Sequence, residues 1–204
     1  MRVLGLAASW LWVAVVASAQ DARSLLQQAE KVLSEADGIE AQFAVRAADD
    51  TSEGTICLRG EKFVLQAEGV KTWFDGKTQW SYLATSNEIN VSEPTAEELQ
   101  AIQPYAWLSL YKQGYQLKMG HATHFQGKSI DEVVMTGTQR QDLLCLVLYL
   151  DKQSHLPLRI SMAQRGGAVT VVTIRSYQVG RQWPDSFFTF DSSRYLDAEL
   201  IDLR

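Results

Sequence analysis

The chain of 204 residues is poor in several things, and each scarcity closes a class of function. Cysteine occurs only at Cys57 and Cys145, so the fold is not a disulfide framework. Both sit in apolar, strand-like stretches. Two small buried residues are one reading, and a bridge between paired strands is the other. No run of Lys or Arg occurs and the formal net charge is −5, so no nucleic-acid partner is expected. Beyond Val16 no stretch is long and apolar enough to span a bilayer. No G-x-S-x-G, H-E-x-x-H or phosphate-binding loop is present. His121 and His124 are three apart but lie in a turn-like segment with no Cys, Asp or Glu close by, so no metal site is expected. No carboxylate pair stands out from a solvated surface. The chain does not read as an enzyme, and no catalytic residue, metal ligand or cofactor is expected.

What is present begins with an address. Met1-Arg2 is a short positive start, Val3 to Val16 is almost wholly apolar, and Ala17-Ser18-Ala19 is a small-x-small cleavage site. Residues 1–19 read as a secretory signal peptide cut near Ala19/Gln20. The competing reading, a retained anchor helix, requires a longer apolar run. Gln20 stands where a Cys would signal lipidation of this chain itself. Residues 20–204 then form one exported domain.

The spacing predicts a helix over Asp21 to Ala36, with Ala22, Leu25, Leu26, Ala29, Val32, Leu33 and Ala36 on one face, Asp21 as its cap and Gly38 at its end. Strand patterns follow at Ile39–Ala47, Gly54–Arg59 and Lys62–Ala67, the last two joined at Gly60-Glu61. Next comes a hairpin over Val70–Leu83. Its Asp75-Gly76 pair predicts a two-residue type I′ turn, which needs φ > 0 at both central positions. Asn87–Ser92 is a further strand. Turn residues every eight to twelve positions predict an antiparallel meander. The meander breaks at a capping box, Thr95 to Glu98, before Leu99 and Ile102. A second short helix is expected between Pro104 and Gly114. Its residues Tyr105 to Tyr111 are apolar on nearly every side, so it is either an inserted core helix or a lid over an apolar space. Strands resume at Tyr115–Met119, Ile130–Thr136, Leu143–Leu150, Leu158–Ala163, Val169–Tyr177, Phe187–Phe190 and Glu199–Leu203, with a turn at Gly166-Gly167. The unbroken apolar run Leu143–Leu150 predicts a strand covered on both faces.

The aromatic inventory is the other positive feature. Trp73, Trp80, Trp107, Trp183, Phe43, Phe63, Phe74, Phe187, Phe188, Tyr82, Tyr105 and Tyr111 must be buried by a sheet and little else. They either fill an ordinary packed core or line an apolar hollow between sheet and helices.

Several segments, in order along nearly the whole mature chain, resemble a known family. They are Gly54, Arg59 and Phe63 on the second strand pair; Phe74-Asp75-Gly76-Lys77-Thr78-Gln79-Trp80-Ser81-Tyr82; Pro104-Tyr105-Ala106-Trp107-Leu108-Ser109-Leu110; Phe187-Phe188-Thr189-Phe190; and Leu200-Ile201-Asp202-Leu203-Arg204. The chain is similar to the periplasmic outer-membrane lipoprotein carriers (LolA-like), in their Bacteroides-type form. The resemblance implies an α+β, mostly β fold: a single antiparallel, incompletely closed β-barrel with a long N-terminal helix and a short inserted helical lid. It implies a periplasmic monomer that takes acylated lipoproteins from an inner-membrane ABC transporter and yields them at the outer membrane, to a receptor where one exists. In the best-studied branch an Arg-Pro pair follows the matching strand, and its Arg latches the lid. Here Arg59 precedes Gly60, and the resemblance carries the latch onto Arg59.

On this reading Phe43, Val45, Phe63, Leu65, Trp80, Tyr82, Leu146 and Leu148 line one concave, lipid-binding face. Trp107, Leu108 and Tyr111 add to it from the lid, and Leu25, Leu26, Leu33 and Arg59 make the lid contacts. The alternative keeps the half-barrel but makes it a lipid-binding or regulatory sensor protein, since fold does not fix function.

Overall fold

The computed structural model describes residues 9–95, 98, 106–138 and 141–204. Along the chain run helix α1 (Ser9–Ser34) and strands β1 (Ile39–Ala47), β2 (Asp50–Arg59), β3 (Lys62–Ala67), β4 (Val70–Phe74), β5 (Gln79–Leu83) and β6 (Glu88–Ser92). A 3-10 helix, Ala106–Gln113, precedes β7 (Gln116–Met119), β8 (His124–Phe125), β9 (Lys128–Thr136), β10 (Leu143–Asp151), β11 (Pro157–Gln164) and β12 (Thr170–Val179). Two short 3-10 helices, Asp185–Phe188 and Ser192–Arg194, lead to β13 (Glu199–Asp202). The chain gathers into two compact units: residues 31–107 with 170–204, and residues 1–30 with 108–169.

In the first unit the strand order is β13-β6-β5-β4-β3-β2-β1-β12. The predicted meander is there, β1 to β6 in sequence, each antiparallel to the next. The row is open: it ends on β13 at one side, and β13 does not meet β12. One pairing departs from the all-antiparallel expectation, because β13 runs parallel to β6, from Glu199 opposite Glu88 to Asp202 opposite Val91. The chain must cross the sheet after β12 to reach that edge, so it arrives from the far side and pairs in the parallel sense.

Three local expectations are corrected. Asp75-Gly76 is not a two-residue turn. The Asp75 carboxylate accepts the Lys77 and Thr78 backbone N–H groups at 2.9 and 2.8 Å, closing a four-residue loop in which Gly76 alone takes positive φ (+101°). Left-handed pairs instead join β3 to β4 at Glu68-Gly69 and β8 to β9 at Gln126-Gly127. Phe187–Phe190 is not a strand. Pro184 and Asp185 open a 3-10 turn there, and the aromatic side chains pack instead of the backbone pairing. Asp21 does not cap α1, which starts at Ser9; no Gly or Pro falls between Ser9 and Ser34 to break it.

The buried stripe of α1 is Ala22, Leu26, Ala29 and Leu33, a 4-3-4 spacing on the predicted face. The capping box forms: the Glu98 carboxylate accepts the Thr95 N–H at 2.7 Å, and the Thr95 hydroxyl accepts the Glu98 N–H at 3.3 Å. Leu99, Ile102, Pro104 and Tyr105 lie outside the described residues. Gly114 ends the next helix at φ +91°, as expected, but that helix is 3-10.

The second unit pairs β11-β10-β9-β7, with β8 also on β9, all antiparallel. The apolar run of β10 is not covered equally on both faces. Leu146, Leu148 and Leu150 are fully buried, whereas Leu144 is exposed and Cys145, Val147 and Tyr149 are half-buried. Both cysteines are free thiols.

Candidate functional site

Paired residues of an antiparallel ladder share a face, so register assigns every side chain of the first sheet. One row runs Ile39, Leu58, Phe63, Phe74 and Gln79 from β1 to β5. A second row on the same face runs Ala41, Ile56, Leu65, Thr72 and Ser81. Phe43 and Val45 continue this face along β1. Ile39, Leu58, Phe63 and Phe74 are buried, and Phe43, Val45 and Leu65 are half-buried. The Phe63 and Phe74 rings meet at 5.4 Å. Phe43 lies over Gly54, where a Cβ would stand 2.5 Å from its ring, so the glycine is what lets that ring settle on the sheet.

The opposite face carries the row Cys57, Val64, Trp73, Trp80 and Val91. Tyr82 lies on it too, paired with Lys71 and Ile89. Trp80 and Tyr82 therefore do not share a face with Phe63 and Leu65. The expectation of one lining surface for all four is corrected: Phe63 pairs with Phe74, whereas Trp80 pairs with the adjacent Trp73, so β5 presents its aromatics to the face opposite Phe63. They are not left to solvent. The C-terminal segment folds back over them, and Phe188, fully buried, joins Cys57, Val64 and Trp73 in one cluster. Trp73 meets Phe190 at 5.6 Å and Tyr195 at 5.7 Å, and Tyr82 meets Tyr195 at 4.7 Å. Trp183 stacks on Phe187 at 5.2 Å.

Arg59 belongs to this cover. Its guanidinium donates to the Trp183 carbonyl and pairs with Asp185, and its Cζ stands 5.0 Å from the centre of the Phe188 ring. Lys62 joins Asp185 at 2.9 Å. Among the described residues, the polar and cation–π contacts of Arg59 are with the C-terminal segment, a placement the sequence did not suggest. The parity of β2 puts Arg59 on the Cys57 side, out of register with Leu58.

Burial beneath this cover, with Glu40 nearby, pushes the Cys57 thiol up to about 11. Burial and the neighbouring Tyr82 raise the Tyr195 phenol. A cavity of about 490 Å³ remains under the segment, between Lys71 and Trp73 on the sheet and Phe187, Phe190 and Tyr195 above. A second cleft of about 530 Å³, beside Phe43 and Gly54, is edged by the Arg175–Glu53 ion pair at 2.6 Å.

In the second unit Leu146 sits opposite Met135 and Met162, and Leu148 opposite Val133 and Ile160, on one face where all but the half-buried Met162 are buried. The inserted 3-10 helix buries Leu108 and Tyr111, while Trp107 is half-buried. It is tied to α1 by Glu30 and Arg23, which the sequence did not single out. Glu30 accepts from the Ser109 hydroxyl at 2.9 Å and from Lys112 at 3.1 Å, and Arg23 lies 5.3 Å from the Tyr111 ring. Leu26 and Leu33 of α1 are buried and Leu25 is half-buried. No helix of the described residues is long and apolar enough to cross a membrane, and they hold no cluster of three or more metal-ligating side chains.

These features define an open, mostly antiparallel sheet with an apolar face. The chain belongs to the outer membrane lipoprotein carrier protein LolA family, whose model matches residues 13–167. That is a family of carriers, not of catalysts. No curated protein matches the chain. Among solved structures it is similar to an uncharacterized conserved protein from Thermus thermophilus, with a TM-score of 0.66, 16% identity, and coverage of 90% of this chain and 99% of that one. It is also similar to MucB, in the MucA/MucB complex of Pseudomonas aeruginosa, with a TM-score of 0.51, 12% identity, and coverage of 84% of this chain and 62% of that one. At such identities the likeness is one of fold.

Proposed function

We propose that this protein is an exported periplasmic carrier that shields the acyl chains of lipoproteins and ferries them from the inner to the outer membrane. The observation that carries the proposal is the family match, on a chain whose first sheet has a continuous apolar face, from Phe43 and Val45 through Ile56 and Leu58 to Phe63, Leu65 and Phe74. Each exposed methylene costs about 0.8 kcal/mol, so two or three long acyl chains forfeit roughly tens of kcal/mol in water. A soluble intermediary is then needed, and it must also release its load. Phe43, Val45, Phe63 and Leu65 are its lining in the first unit, and Leu146 and Leu148 in the second. Trp107, Leu108 and Tyr111, with Leu25, Leu26 and Leu33 of α1, form a lid whose opening cargo or receptor shifts. The donor is an inner-membrane lipoprotein-releasing ABC transporter, and an outer-membrane receptor is the acceptor.

Native mass spectrometry of the mature protein from its own periplasm tests this. A diacylated or triacylated polypeptide bound one to one is the expected result. Free phospholipid or fatty acid alone moves the function to general lipid carriage. A clean apo mass favours a second reading, a regulatory binding protein, which the fold likeness to MucB supports, since that protein is described in complex with MucA. Trp107→Asp is expected to reduce uptake of an acylated peptide while leaving the fold intact; unchanged uptake removes Trp107 from the lid.

A further inference from the structure

The cavity beneath the C-terminal segment has a construction that acyl-chain carriage on the Phe63 face does not use. Its walls come from one unit: Lys71 and Trp73 of β4, Val64 of β3, and residues 184–195. Its volume, about 490 Å³, falls within the range of small-molecule sites. Trp73, Phe187, Phe190 and Tyr195 give it aromatic walls, and Ser186 and Thr189 add hydroxyls.

The charges are not balanced within it. Lys71 is half-buried, and among the described residues no carboxylate pairs with it; its ammonium lies 4.9 Å from the centre of the Trp73 ring. Asp191 is the acidic group of the lining, and it is committed elsewhere. Its carboxylate accepts from the Ser193 N–H and hydroxyl at 3.1 and 2.6 Å, and it pairs with Arg194 at 3.3 Å. Lys71 is thus a cation held against an aromatic wall at the edge of a hollow, in a protein of net charge −5. An anion entering there gains a charge-assisted hydrogen bond from a donor that is already partly desolvated.

We infer that this cavity is a binding site for a small organic anion with a flat or apolar body, whose acidic group pairs with Lys71 and whose body packs against Trp73, Phe190 and Tyr195. The site lies on the opposite face of the sheet from Phe63 and Leu65, so it can be filled independently of a load there. Its occupant bridges the sheet and the C-terminal segment, and stabilises the segment in its docked position by linkage.

Isothermal titration calorimetry of the mature protein tests this with three probes: indole-3-acetate, tryptamine and acetate. Indole-3-acetate is expected to bind. Tryptamine, with the same ring and the opposite charge, and acetate, with the charge and no ring, are expected to bind at least ten-fold more weakly. Lys71→Gln should weaken indole-3-acetate about ten-fold or more, and Lys71→Arg should restore most of it. Thr189→Trp, at an exposed lining position, should fill the cavity and abolish binding while the circular dichroism spectrum is unchanged. Equal binding of tryptamine, or indole-3-acetate affinity indifferent to both Lys71→Gln and Thr189→Trp, overturns the assignment. So does the absence of binding by indole-3-acetate to the unmodified protein.

Discussion

The two faces of the first sheet are both apolar, yet they are closed by different means. The Trp73 face is sealed by the protein's own C-terminal segment, through Phe188, Phe190, Tyr195 and the Arg59–Asp185 pair. The Phe63 face carries aliphatic side chains and phenylalanines, of which Ile39, Leu58, Phe63 and Phe74 are buried and Phe43, Val45 and Leu65 half-buried. Aromatic rings with polar edges suit a permanent, geometrically specific contact. Aliphatic side chains without hydrogen-bonding groups suit a surface that takes and releases chains of varied shape. A carrier needs both, one face to hold its shape and one to exchange.

The largest effect separating the faces is expected from Phe188→Ala. Phe188 is fully buried, and its removal should cost about 3–5 kcal/mol in denaturant unfolding. Leu65→Asp should do the reverse: its stability cost should be smaller, because Leu65 is half-buried, while uptake of an acylated peptide falls several-fold. If Phe188→Ala abolishes uptake at matched stability and Leu65→Asp does not, the assignment of roles to faces is inverted.

Cys57 reports the seal directly. With its thiol raised to about 11, roughly one molecule in a thousand is thiolate at pH 8, so alkylation of the Cys145→Ser protein should be slow. Phe188→Ala should accelerate it, as exposure brings the thiol back toward its ordinary range; equal rates would mean that the segment does not shield Cys57. Smaller still is Arg59→Ala. The ion pair to Asp185 is largely solvent-exposed on the acid's side, so it contributes up to about 1 kcal/mol, and the stacking on Phe188 about 0.5–1 kcal/mol more. A double-mutant cycle with Asp185→Ala separates the two.

The second unit supplies a control. Burial opposes ionisation of Asp151, but hydrogen bonds from Lys128, Ser154 and Gln153 outweigh it and hold the carboxyl below its ordinary value. A carboxyl lowered in the folded state adds stability that is full above its unfolded value, near 3.8, and is lost as pH falls through the folded value. Asp151→Asn should therefore flatten the acid limb of the stability profile without altering peptide uptake.

Much of this was legible in the chain itself. Period-3.6 spacing placed the buried stripe of α1, alternation and turn residues placed the meander, and Thr95 with Glu98 announced a cap that forms, because all of these depend on neighbours a few residues apart. The ordered motifs, from the Phe74–Tyr82 stretch to the closing Leu200–Arg204, were enough to point to the family. What sequence could not carry was which face each strand turns where. A strand has period two, so one residue of register decides everything. The connections at 68–69 and 75–78 both have an even number of residues, so Phe63 falls opposite Phe74 while Trp80 and Tyr82 take the side of Trp73. Nor could it foresee that Phe187–Phe190 would fold as a turn and lie across that face, or that Arg59 would hold it there. Those contacts join residues more than a hundred positions apart, and only the tertiary structure, where the energy of burying the rings exceeds that of pairing the backbone, decides them.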